Sequence, residues 1–373
     1  MTLALDEQLR PLRLAGTALP TVGKVRMYVC GVTPYDVTHL GHAATYIWVD
    51  VLTRLLRQLG TDVEVCRNVT DVDDVLLDAA RRAGASYDAF AAVQQFHFEQ
   101  DMAALGVRPP THEPRAHNFV RNVVSLAAGL VDAGKAYVRN GSVYFRGADV
   151  PVRAGLSADE ARQLAAEFND EPDDPAKENP FDVAIWRASG EGVPAWPSPW
   201  GPGRPGWHAE CAAMAMTVFG PALDIHAGGA DLRFPHHAYE AALAEALTGV
   251  RPFARTWLRV GMVHHGGRKM AKSAGNLVLV SDLLAAHPAA ALRMYVVHRR
   301  WPQPWEFDAR ELQRAEADVD ALFTAAARPG RSDGREAVLA ALRDDLDVPT
   351  AFQVAVDEGG AAARLLVDVL GLR

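Results

Sequence analysis

Three groups of side chains in this 373-residue sequence are of types that could do chemistry. His39 and His42 bracket a Leu-Gly pair, HLGH, where a strand-like pattern gives way to a helical one. A helix N-terminus attracts phosphate through its free N–H groups and its dipole. Gly41 lets the backbone come close, and two imidazoles can donate to phosphoryl oxygens. Taken alone, the string fits two surface histidines beside a turn better. Lys269 and Lys272 lie in KMAKS within a glycine-rich setting, and they are two of only five lysines among 38 basic residues. Paired ammonium groups on a loop suit the charge that develops on a departing pyrophosphate; alone, they also fit a solvated basic turn. Cys30, Cys211, His236 and Glu240 form a set of zinc-ligand types, and His236 and Glu240 share a helical face at i and i+4. Two buried cysteines and a polar helix start explain them equally well. Cys66, in a strand-like run, reads as a plain core thiol.

The elements that must position these groups follow from periodicity. Residues 25–30 read as a buried strand, 42–59 as a helix, 62–67 as a second strand and 71–82 as a second helix. Strand–helix alternation predicts an α/β fold with a parallel, Rossmann-like sheet. A break at 108–114 precedes an Ala/Val-rich helix over 116–133 and a short strand over 141–145. Polar residues 155–182 read as a rim insertion of helix and loop. The sheet pattern is expected to resume at 184–187 and 222–227, around an irregular Pro/Gly/Trp-rich loop at 192–207. After 292 the chain reads as a helical bundle. The expected segments are 1–115 and 184–265 as halves of the nucleotide-binding unit, 116–183 as the insertion, 266–300 as the lysine-loop region and 301–373 as the bundle.

Composition limits the function classes. Apolar residues make up 49% and charged residues 23%, the balance of an ordinary globular protein. No apolar run reaches the roughly 20 residues of a membrane span, and no signal-peptide pattern opens the chain. Three scattered cysteines cannot make a disulfide framework, which points to a reducing cytoplasm. A net charge of −8 disfavours a dedicated nucleic-acid binder.

In this order, HLGH and KMAKS resemble the HIGH and KMSKS strings of class I aminoacyl-tRNA synthetases, which form aminoacyl-adenylates from ATP. The residues around Cys30 (MYVCG), Asn68 (NVTDVDD), Trp207 (GRPGWH) and His226 (DIH) are similar to the cysteinyl branch. The resemblance implies that His39, His42, Lys269 and Lys272 stabilise the triphosphate. It further implies zinc on Cys30, Cys211 and His236, with Glu240 as a fourth ligand, and magnesium arriving with ATP. Cys30, Gly31, Val32, Thr33, Thr45, Asn68, Val69, Thr70, Trp207, Gly229, Ala230 and Asp231 correspond to positions lining the cysteine and adenylate pocket. Asp231 would pair with the substrate ammonium, and Val263 would lie under the adenine. His208 and His226 are candidates for a base in the transfer step.

Within that branch, residues 33–46 (TPYDVTHLGHAATY) resemble the mycothiol-pathway ligases, whose pattern runs TPYDATHLGHAATY. Those enzymes join cysteine to the amine of glucosaminyl-inositol. The expected partners are therefore ATP, L-cysteine and a small amino sugar, with no tRNA and no membrane, and the chain is expected to be a monomer. The sequence ends without the anticodon-reading segment of a synthetase, which supports the same expectation. Three positions depart from the ligase pattern. Glu240 replaces a small residue, Ala271 replaces the serine of KMSKS, and residues 167–172 (EFNDEP) stand where ERGGDP, on the acceptor side, would fall. The alternatives are a cysteinyl-tRNA synthetase, a paralogue with another amine acceptor, and a non-catalytic cysteine-binding module.

Overall fold

The computed structural model describes residues 11–34, 37–271, 274–329 and 334–373. Lys272, and Tyr35 and Asp36 of the TPYD string, lie outside the described residues.

A four-stranded, wholly parallel sheet carries the fold. Its strands are β1 (Val25–Val32), β2 (Val63–Val69), β3 (Leu223–Gly229) and β4 (Ala254–Val260), in spatial order β4-β3-β1-β2. Three helices matter to the site: α1 (Leu40–Gln58), α2 (Trp207–Phe219) and α3 (His236–Thr248). β1 is buried along nearly its whole length, as expected of a strand covered on both faces. The order reverses direction at β1, so the carboxyl ends of β1 and β3 open onto the crevice where doubly wound sheets bind ligands.

The strand expected over 25–30 runs on to Val32, and the helix expected over 42–59 starts earlier, at Leu40, and ends at Gln58. The strand at 184–187 exists as Val183–Ala188, but it does not return to the parallel sheet. It pairs antiparallel between Ser142–Phe145 and Gly203–Pro205, in a second sheet that also holds Ala136–Arg139. Apolar alternation shows that a strand is half-buried, not which strand it joins. The polar rim segment contains the helix Ala158–Glu167, closed by a Ser157/Glu160 capping box. The helices Ala309–Ala327, Gly334–Arg343, Val348–Glu358 and Gly360–Leu370 form the expected tail, and they share one continuous apolar core with α1.

Arg293 pins that junction. Its fully buried guanidinium donates to Asp50 of α1 at 2.6 Å and to the carbonyls of Leu370 and Leu105. Replacing Arg293 with Met would leave Asp50 buried with Arg54 and the Arg108 N–H as its remaining partners. We expect a loss of about 3 kcal/mol, the low end for breaking a buried pair. Denaturant unfolding checks this, and a loss below about 1 kcal/mol would contradict the pinning role.

Candidate active site and metal centre

A cleft of about 320 Å³ opens at the carboxyl ends of β1 and β3. His39 sits one residue before α1, where its Nδ1 accepts the Gly41 N–H at 3.1 Å and caps the helix. Burial, reinforced by the charges of His42 and Lys269, holds its pKa down to about 3. The neutral ring therefore keeps its proton on Nε2, as a donor. The His39 and His42 rings stack at 3.8 Å. Lys269 lies on the short strand Arg268–Lys269, which pairs with Val263–His265, and its Nζ donates to Asp231 at 2.7 Å across the cleft. The lysine expected on the triphosphate and the carboxylate expected on the substrate ammonium are thus paired with each other.

Behind this pair, Cys30 at the end of β1, Cys211 on α2, and His236 and Glu240 on α3 bring one ligand atom each to within 4.8 Å of one another. All four are buried. Cys30, Cys211 and His236 front the cleft, and Glu240 closes the cluster from behind. Cys30, His226, His237 and Glu240 also converge within 4.8 Å, but neither of those histidines lines the cleft.

The donor chemistry suits a cation. Burial brings the pKa of His236 to about 3, so its ring is neutral despite Glu240 nearby. Burial opposes the Glu240 charge, but the facing His226 and His236 rings outweigh it and hold the carboxyl below its ordinary range. His236 Nε2 faces Glu240 Oε1 at 3.1 Å, while Glu240 Oε2 already accepts from His226 Nε2 at 2.9 Å. Burial pushes both the Cys30 and Cys211 thiols upward. A bound cation reverses that tendency by holding thiolates directly. Asn68 Nδ2 donates to Cys211 Sγ at 3.3 Å, and its Oδ1 accepts the Gly31 N–H at 2.8 Å. Gly31 is sterically required, because a Cβ there would come within 1.5 Å of the Asn68 carbonyl oxygen.

Most of the anticipated residues meet in this one cleft. Gly31, Val32, Thr33, Thr45, Asn68, Thr70, Trp207, Gly229, Asp231 and Val263 all line it. Val69, Ala230 and Glu240 stand outside its lining. Thr33 and Thr70 are joined through their hydroxyls at 2.8 Å. His208 and His226, considered as bases, are instead engaged behind the cleft. His226 meets Glu240, and His208 lies between Asp170 and His236. Both are buried, and neither lines the cleft. Asp170 falls in the 167–172 segment expected on the acceptor side. Gln94 and Phe98, from the helix Tyr87–Ala104, also line the cleft without a chemical signature in the sequence to announce them.

Residues 18–317 match the family described as tRNA synthetases class I (C) catalytic domain. The chain is 41% identical over 349 residues to a cysteine–tRNA ligase of Halorhodospira halophila, covering 92% of this chain and 76% of that one. It is 44% identical over 361 residues to the L-cysteine:1D-myo-inositol 2-amino-2-deoxy-alpha-D-glucopyranoside ligase of Mycolicibacterium vanbaalenii, covering 93% and 82%. Among solved structures, the methionyl-tRNA synthetase of Mycobacterium tuberculosis with methionyl-adenylate shares the fold at a TM-score of 0.62 and 18% identity. That match covers 94% of this chain and 82% of the other. With the matched region spanning both halves of the parallel sheet and the whole cleft, the chain belongs to the class I tRNA synthetase (C) catalytic-domain family.

Proposed function

We propose that the chain activates L-cysteine with ATP to cysteinyl-adenylate and then transfers the cysteinyl group to the amine of glucosaminyl-inositol. The products are an amide, AMP and diphosphate. One observation carries the first step: Cys30, Cys211 and His236 front the same cleft as His39, His42 and Lys269. A zinc ion on Cys30, Cys211, His236 and Glu240 would supply a soft Lewis acid for the substrate thiolate, which a serine hydroxyl cannot match. Shape alone would not exclude serine, because a smaller side chain enters the same pocket.

The chain's own residues do the rest. Asp231 takes the substrate ammonium, which displaces Lys269 from its ion pair and releases it toward the phosphates. His39 donates from Nε2 to the triphosphate, with His42 stacked against it, and Lys272 joins Lys269 as the second cation. Gly31 brings the backbone close to the substrate, and Val263 lies under the adenine. Magnesium travels with ATP. The reaction needs positioning and charge stabilisation and little covalent work by the protein. We read 1–115 and 206–265 as the two halves of the nucleotide-binding unit, in place of the expected 184–265, with Val183–Ala188 and Gly203–Pro205 counted with the insertion.

The second step is read from the TPYDVTHLGHAATY string and from the named ligase relatives. The competing reading, a cysteine–tRNA ligase, is favoured by Glu240 at the fourth ligand position. The two differ in salt dependence, because each phosphate contact adds to the salt slope of a nucleic-acid complex. Cysteine incorporation into glucosaminyl-inositol is expected, with little change between two ionic strengths. Charging of tRNA that falls steeply with salt, without the amino-sugar product, would overturn the acceptor assignment.

A further inference from the structure

Three buried side chains stand in line behind the cleft. Asp170, in the loop after the insertion helix, meets His208 Nε2 with Oδ2 at 2.9 Å and Oδ1 at 3.1 Å. His208 Nδ1 meets His236 Nδ1 at 2.8 Å. His236 Nε2 then faces Glu240 and the two cysteines. His208 is 2% exposed and Asp170 8%, so bulk water does not replace either link.

Proton bookkeeping along this line follows from the metal-site reading. For His236 Nε2 to give its lone pair to a metal, the ring must carry its proton on Nδ1 and donate it to His208 Nδ1. His208 then carries its proton on Nε2 and donates it to Asp170, since a carboxylate only accepts. Glu240 pulls the other way, because its Oε1 at 3.1 Å accepts only from a protonated His236 Nε2. With Asp170 removed, His208 is free to donate from Nδ1, and the competing arrangement gains weight, with the His236 proton on Nε2, where it blocks coordination.

We propose that Asp170 is a positioning residue that sets the His236 tautomer through His208, so that the insertion loop prepares the metal ligand. The inference rests on the metal-site reading above. The loop is built for this placement. Asn169 and Glu171 on either side of Asp170 adopt φ of 60° and 49°, in the left-handed region that side-chain-bearing residues seldom occupy. Lys177 Nζ donates to the Asp170 carbonyl, and Phe168 stacks on Trp207, which itself stacks on His236 at 3.9 Å. The His236 ring is thus held by stacking on its face and by a carboxylate–imidazole line at its edge. Outer partners of this kind orient a ligating histidine and fix its tautomer.

The test uses the full chain, stripped of metal and titrated with Co2+ while thiolate-to-metal absorption is followed, with Zn2+ affinity taken by chelator competition. Asp170→Leu is expected to weaken affinity by about 10–100-fold. Nitrogen-resolved NMR of the metal-free protein should show the His236 proton shifting from Nδ1 toward Nε2. His208→Phe keeps an aromatic ring among Trp207 and Tyr239 but cuts the line, and it gives the same measurement if Asp170→Leu fails to fold. The double variant should lose no more than the larger single loss, because both interrupt one path. Folded variants with affinity within twofold of the parent, and with the His236 proton distributed as in the parent, would overturn the proposal. A parent protein that takes up neither metal would instead overturn the metal-site reading beneath it.

Discussion

Cys211→Ala is expected to abolish tight zinc binding and, with it, cysteine activation. Cys211 is fully buried among Asn68, Cys30 and the cleft, and no other thiol stands where it does. Loss of one of two thiolates should cost more than the roughly 10–100-fold in affinity that loss of an outer partner costs. The side chain is small and Ala fits its space, so the fold should survive with at most a modest drop in stability. Metal analysis, with cysteine-dependent turnover measured beside it, reads both effects. A Cys211→Ala protein that retains stoichiometric zinc or activates cysteine normally would contradict the assignment of this cluster.

Lys269→Ala is expected to lower kcat for adenylate formation on the order of 10²–10³-fold, the range for removing one charge-stabilising donor from a transition state. KM for cysteine should move far less, or fall. Lys269 is paired with Asp231 at 2.7 Å, and that pair is partly exposed on both sides. Such a pair contributes little stability, so its loss leaves the fold intact and frees Asp231 for the substrate ammonium. Steady-state kinetics of pyrophosphate exchange separate the two effects. A large rise in KM with kcat unchanged would mean that Lys269 serves ground-state binding instead.

The site was legible wherever its residues lie close together in sequence or follow a strand-to-helix junction. HLGH announces a helix start because it falls where a strand-like pattern gives way to helically spaced apolar residues, and α1 begins at Leu40. His236 and Glu240 are readable together because four residues along a helix return to the same face. The partners of the second sheet were not legible. Val183–Ala188 has the apolar content of a core strand, and nothing local shows that Ser142–Phe145 rather than β1 receives it. Ala136–Arg139 follows directly on an Ala/Val-rich helix and is too short to stand out. The Asp170–His208–His236 line escaped for the same reason. Its members are 38 and 28 residues apart, and only tertiary folding turns an acidic loop residue toward a buried imidazole.

The most direct test of the account is cysteine-dependent exchange of pyrophosphate into ATP by the zinc-loaded protein, with no tRNA present. Adenylation precedes transfer, so exchange requires only ATP, magnesium and the amino acid. The account predicts robust exchange with cysteine and strong rejection of serine, whose oxygen is a poor partner for a site of two thiolates and an imidazole. No exchange with cysteine, or exchange with serine within a factor of about three of cysteine and so no more than the methylene-scale discrimination that shape supplies, would contradict it.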